Sequence, residues 1–247
     1  MIYLSVRATV RDQAQGMRTI FSVVSAQIYF TGWQAMPLIS LLAVATGGFV
    51  ILQSSANMGL LGGTKVMGQL LVVVAVRELG PLITALVVVA RSGTAVASEV
   101  GNMRANREIE ALESVGINPL SYIVFPRVVG GVISVLCLAF YFAAIAIVGG
   151  FFVTKWLHNL PLVFYMDALA QSISGVDIWL FLLKNTFSGL MIFIISCQQG
   201  LSVKKSPTEV PVVTTEAVVK SIITVVVFNL TVTSLFYLHQ LMAMGVL

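Results

Sequence analysis

The chain has 247 residues, of which 58% are hydrophobic and 10% charged, with a formal charge of +4 and a mean hydropathy of +0.98. A soluble domain carries about 25% charged residues, so this composition excludes a water-soluble globular enzyme and indicates a polytopic membrane protein. The 14 basic residues are scattered between apolar runs, which excludes the basic stripe of a nucleic-acid binder and reads as topology signals beside anionic lipid.

Between Val6 and Phe30 the apolar residues Val10, Met17, Ile20, Phe21, Val24 and Ile28 recur at helical spacing, with Arg7, Arg11, Gln15 and Arg18 between them. This pattern predicts an amphipathic helix lying in the membrane interface within residues 1–34. Arg7, Arg11, Asp12 and Arg18 run through the same stretch without a short apolar core, so no cleavable signal peptide is expected. The first span is predicted at 37–53, where the pair Gly47 and Gly48 permits close helix approach, and Ser54 to Lys65 reads as a turn.

A second span is predicted at 66–90, with a flaw inside it: RELGP, Arg77 to Pro81, puts two charges and a Gly-Pro helix breaker where apolar helix is expected. Helix resumes past Arg91 as SGTAVASEVGNM, which leaves Glu99 at its end or on a cytosolic extension. Gly93, Ala97 and Gly101 repeat every four residues, as do Ala90, Thr94, Ser98 and Asn102, so close packing on two sides is expected. Further spans are predicted at 122–153, 178–197 and 212–242, with Lys155 to Asp177 a polar loop flanked by Trp156 and Trp179 and Gln198 to Pro211 a second polar loop. Cys137 and Cys197 lack CxxC spacing and read as small buried hydrophobes.

Lys and Arg counts set the expected orientation. Arg7, Arg11 and Arg18, then Arg91, Arg104, Arg107 and Arg127, then Lys204 and Lys205 fall on one side, against Lys65 and Lys155 on the other. The N-terminus is therefore expected in the cytosol and, after five spans, the C-terminus outside.

Five charges, Arg104, Arg107, Glu108, Glu110 and Glu113, fall within ten residues of this otherwise apolar chain. Asn106 can act as N-cap, Glu108 sits in the first turn where the helix dipole favours an anion, and Gly116 is placed as the C′ residue with Pro119 beyond it. If Gly116 is C′, Leu112 and Ile117 form the apolar pair of a Schellman motif. A short cytosolic helix within 104–116 follows, with Ile109, Leu112 and Val115 as one apolar ridge ringed by charge. It is either a solvated connector or a docking knob for a cytosolic protein; caps at both ends favour the knob.

The polar residues inside the spans are the other functional candidates, because ionisable groups in hydrocarbon are costly. Adjacent Arg77 and Glu78 point about 100° apart on a helix and are not expected to pair, and Arg77 can also serve to tie helices through carbonyls. Lys184 either snorkels to the interface or faces inward at the depth of Glu78, where the two would form a polar ring suited to a phospholipid head group. Asn229 is a weaker candidate, more in keeping with a helix–helix hydrogen bond. His158 and His239 are isolated, so no metal site is expected; no catalytic constellation or bound cofactor is expected either. GLLGGTK at Gly59 to Lys65 lacks the order of a phosphate loop.

The block RELGPLITALVVVARSGTAVASEVGNMRANREIEALESVGINPLSYIVFPRVVGG resembles the signature of the MlaE/YrbE family, permease subunits of ABC transporters that work with MCE proteins in lipid traffic across bacterial envelopes. AQIYFTGWQAMPLI and TTEAVVKSIITVVV are also similar to the family pattern. The resemblance implies an all-α integral membrane fold in which the segment around Arg104, Arg107, Glu108, Ile109, Glu110, Leu112 and Glu113 is a coupling helix seated in a groove of a separate cytosolic ABC ATPase, the subunit that would use ATP and Mg. It further implies a homodimer holding phospholipid between two permease subunits in a cavity open outward, a periplasmic MCE-domain partner, a bacterial inner-membrane location and a role in envelope lipid homeostasis. Two other readings remain open from the residues alone. One is a stand-alone secondary transporter or channel relaying ions through Arg77, Glu78 and Lys184, against which no inverted repeat is visible. The other is a membrane scaffold, which leaves the buried charges without purpose.

Overall fold

The computed structural model describes residues 17–56, 68–158, 161–204 and 206–243, and no strand occurs among them. Arg7, Arg11, Lys65 and Lys205, and the first half of the expected interfacial helix, lie outside the described residues. Helix α1 is Met17–Thr31; a 3-10 turn at Trp33–Ala35 leads into α2, Met36–Ala56. Helix α3 is Gly68–Ala105, α4 is Glu108–Ser114 and α5 is Phe125–His158, entered through a π-helical turn at Leu120–Val124. Helices α6 (Leu162–Ser172), α7 (Gly175–Leu201) and α8 (Val210–Ala243) complete the chain. Five stretches are long and apolar enough to cross a membrane, which agrees with the predicted number of spans.

Two sequence expectations about these elements need correction. The Gly-Pro break does not interrupt the second span: α3 continues through Pro81, and it does so by widening into π-helix over Leu71–Leu79, where the Gly80 amide donates to Ala75 O five residues back. The predicted polar loop from Lys155 to Asp177 contains the 11-residue helix α6, held by Tyr165, which is buried and donates its phenol hydroxyl to Ile147 O at 2.8 Å. Its pattern was obscured because α6 exposes Leu162, Val163, Phe164 and Met166 while burying Tyr165 and Leu169, so apolar residues occupy both faces.

The chain folds as two compact units. The first takes Met1–Ala35, Ala85–Val135 and Thr186–Leu247. In it Gly93, Ala97 and Gly101 are buried, and α8 packs along the Thr94–Ala105 part of α3. A Cβ at Gly93 would meet Ser196 and one at Gly101 would meet Val203 and Val210. The parallel stripe behaves differently from expectation, with Ala90 and Asn102 exposed, so this helix is tightly packed on one side only. Cys197 is buried as expected, whereas Cys137 is exposed; a thiol is apolar enough to face hydrocarbon.

The second unit takes Met36–Thr84 and Leu136–Asn185. Its tightest approach is at Gly47, where a Cβ would lie 2.1 Å from Ala146 O, so α2 and α5 touch backbone to backbone, as small residues allow in a membrane. Ser40 Oγ and Tyr141 Oη share a hydrogen bond of 2.7 Å between the same two helices.

Candidate functional site

The second unit encloses a chain of four alternating charges. Pro81 has no amide hydrogen, and the turn before it is π-helical. Lys184 Nζ donates to Arg77 O at 3.3 Å and also to Glu78 Oε2 at 2.9 Å. Glu78 Oε1 lies 3.7 Å from Arg77 Nε, and Arg77 Nη1 lies 3.3 Å from Asp177 Oδ1. The run Lys184, Glu78, Arg77, Asp177 is electrically neutral, which is how four ions can share a low-dielectric interior.

The Lys184 side chain is 1% exposed, Arg77 9%, Asp177 15% and Glu78 30%. Lys184 therefore does not snorkel; it lies nine residues inside α7, about 14 Å along the axis, and turns inward onto Glu78. Arg77 and Glu78, expected to point apart, do approach each other, though their 3.7 Å separation is long for a pair. Both cations are enclosed, and Glu78 has the most exposed side chain of the four, with its Oε1 buried and its Oε2 held by Lys184.

Asp177 was not singled out from the sequence. Ser174 donates to its Oδ2 through the backbone amide (3.0 Å) and the hydroxyl (2.8 Å), while the Asp177 amide donates back to Ser174 Oγ at 3.3 Å. This is a capping box at the start of α7, and the S-x-x-D spacing of Ser174 and Asp177 was its available signal. Asn229 sits in the first unit, 6% exposed, with its amide donating to Ser188 Oγ (3.2 Å) and Val225 O (2.9 Å). It joins α7 to α8 and has no part in the ionic chain.

The charged segment, in the first unit, is ordered as a helix of seven residues, α4. The Ile117 amide donates to Leu112 O (2.9 Å) and the Gly116 amide to Glu113 O (3.0 Å), with Gly116 at φ 82; these are the two bonds of a Schellman motif. The other end differs from expectation. Asn106 closes the preceding helix, and the N-cap of α4 is Arg107, a non-glycine residue in the left-handed region at φ 60 with no side-chain cap. Asn106 Nδ2 donates instead to Glu108 Oε1 at 3.4 Å.

The expected apolar ridge is split. Ile109 is 2% exposed and turned onto its own chain, Leu112 is half-buried, and Val115 is 78% exposed. Arg104 Nη1 reaches Glu110 Oε1 at 3.8 Å and ties α4 to the end of α3. Arg107, Glu108 and Glu113 are exposed as well. What α4 offers outward is thus one valine and a mixed-charge rim.

Among the described residues no group of His, Cys, Asp and Glu is placed to hold a metal.

The family model described as Permease MlaE matches residues 24–235. A probable ABC transporter permease protein of Rickettsia prowazekii is 30% identical over 216 residues, 87% of this chain and 83% of that one. A probable ABC transporter permease protein of Synechocystis is 29% identical over 208 residues, 83% of this chain and 77% of that one. The chloroplastic protein Trigalactosyldiacylglycerol 1 of Arabidopsis thaliana is 25% identical over 211 residues, 85% of this chain and 60% of that one. The match takes in the ionic chain, the Schellman-capped helix and all but the ends of the five spans, and the chain belongs to the MlaE permease family of multi-pass membrane transport proteins.

Proposed function

We propose that this chain is the membrane subunit of an ATP-driven transporter that moves phospholipid, or an amphiphile like it, between the inner membrane and a periplasmic MCE-domain protein. It works as a homodimer, with its N-terminus in the cytosol and ATP hydrolysed on a separate ABC ATPase. The observation that carries this reading is the ionic chain itself, in which Glu78, its side chain 30% exposed, sits inside a membrane helix and is held by a lysine that is 1% exposed. Ionisable groups kept inside a membrane helix mark a substrate path, and a carboxylate fixed by an enclosed lysine suits the ammonium or hydroxyl groups of a lipid head.

Helix α4 supplies the link to the ATPase. Val115 inserts into the partner's groove, and Arg107, Glu108 and Glu113 make the surrounding polar rim. ATP-driven closure of the partner pushes on α4 and shifts the permease between two states of different affinity for lipid.

The test is transfer of a fluorescent phospholipid to the MCE partner by the reconstituted complex. Glu78→Gln combined with Lys184→Met, which leaves neither member of the pair as an uncompensated charge, should assemble yet lose transfer by tenfold or more, since a neutral amide forfeits a charge-assisted hydrogen bond of about 1.5–3 kcal/mol. Transfer at the unaltered rate would overturn the role given to Glu78.

A further inference from the structure

The first unit holds a second polar group that neither the ionic chain nor α4 uses. Between α1, the Thr94–Ala105 part of α3 and the start of α5 lies a half-open crevice of about 220 Å³. Val23, Ala26 and Phe30 of α1 give it an apolar wall, and Gln27, Glu99 and Arg127 give it a polar floor. Arg127 is 9% exposed at its side chain, and among the described residues its one polar contact is Glu99 Oε1 at 2.7 Å. Glu99 itself is 61% exposed.

We propose that this crevice binds the head of a phospholipid that carries both a phosphate and a primary ammonium. The guanidinium has five N–H donors in a planar fork, and one contact to Glu99 leaves donors for a phosphate oxygen. The Glu99 carboxylate, largely open, accepts from the ammonium. Gln27 donates its amide to Thr31 Oγ1 at 2.8 Å, and its amide oxygen is a second acceptor for the same ammonium. A purely anionic head would set its charge against Glu99, and a quaternary ammonium has no N–H to give it. The zwitterion with a primary amine answers both charges.

Size agrees with a head group alone. The crevice equals about seven water volumes of ~30 Å³, below the 300 Å³ or so at which whole drug-sized ligands are enclosed. The acyl chains would therefore remain in the bilayer, along the exposed apolar residues Phe21, Ala26 and Phe30 of α1. Bound there, the lipid bridges α1 to α3 and α5, and this role does not depend on what the chain transports.

The experiment counts lipids retained by the full chain, released from nanodiscs of phosphatidylcholine doped with either phosphatidylethanolamine or phosphatidylglycerol, by native mass spectrometry. It is done on a Glu78→Gln, Lys184→Met background, so that lipid held at the ionic chain is kept separate. Phosphatidylethanolamine should be retained about tenfold over phosphatidylcholine, the difference expected for one hydrogen bond to a charged group. Glu99→Gln should remove that preference, and Ala26→Trp should lower retention of every lipid by filling the crevice; Ala26 is exposed, an amide at 99 still offers Arg127 an acceptor oxygen, and thermal unfolding of each variant checks that the fold holds. Equal retention of phosphatidylethanolamine and phosphatidylcholine, preference for phosphatidylglycerol, or a preference untouched by Glu99→Gln would each overturn the proposal. So would displacement by soluble O-phosphoethanolamine at the same concentration as lipid, since the apolar wall would then contribute nothing.

Discussion

Lys184 donates to Arg77 O in the π-helical turn before Pro81 while it neutralises Glu78. One ammonium thereby serves a backbone carbonyl and a carboxylate together. Lys184→Met should leave Glu78 without its enclosed partner and cost about 3–5 kcal/mol, the usual effect of removing one member of a buried pair. The double variant Lys184→Met with Glu78→Gln should recover most of that loss, which thermal unfolding in detergent would read as a non-additive cycle. Additive losses would show that the two side chains act separately. Tyr165 gives a residue-scale test outside the spans: burial pushes its phenol above the ordinary value. Because the folded value is raised, the stability it contributes is present below the unfolded pKa of about 10 and is lost as pH rises through the higher folded one. Alkaline unfolding should accordingly lose part of its pH dependence in Tyr165→Phe, at a cost of about 1 kcal/mol for the hydrogen bond to Ile147 O.

At the scale of elements, what could be read from the sequence was what local chemistry alone decides. The spans follow from apolar run length, and the C-terminal end of α4 follows from Gly116, whose missing Cβ permits the positive φ that both Schellman bonds require. Its N-terminal end was not legible, since nothing local favours Arg107 in the left-handed region over Asn106 as a cap; that choice belongs to packing. The split between Ile109 and Val115 is of the same kind, as helical spacing groups residues by face without saying which face meets its own chain. Asp177 was concealed by its second task, because a capping residue needs no further explanation until Arg77 is found beside it. The split makes a sharp prediction. Val115→Asp should leave the melting temperature of the isolated permease within the small range of surface changes yet prevent co-purification of the ATPase, whereas Ile109→Ala should cost about 2–5 kcal/mol of stability. Gly47→Ala tests the backbone contact of α2 with α5, where a Cβ has no room beside Ala146 O. Overpacking of this sort costs about 1–3 kcal/mol, which should appear as a lowered unfolding temperature in detergent.

For the whole molecule, the unequal burial of the spans bears on assembly. Only 17% of the most apolar window of the fifth span is enclosed, against 39–56% for the other four. Val212, Val219, Ile223, Val227 and Leu230 are all exposed, and at 100° per residue they fall on one face of α8. A polytopic protein gains little from hiding such a face from lipid by hydrophobicity alone, since hydrocarbon solvates it well; what favours a partner there is van der Waals packing of a complementary surface. In the homodimer proposed above a second copy of the chain would provide that surface, and a two-fold axis beside α8 would bring each residue of the stripe near its own counterpart. Single cysteines at Val219, Ile223 and Val227 on a Cys137→Ala background, needed because Cys137 is exposed, should crosslink in membranes with a short bifunctional maleimide to give a species of twice the chain mass. Cysteines on the enclosed side of α8, at Ala217 or Val225, should give none. Efficient crosslinking from an unrelated exposed position such as Phe49 on α2, with none from the stripe, would place the second copy elsewhere and remove α8 from the interface.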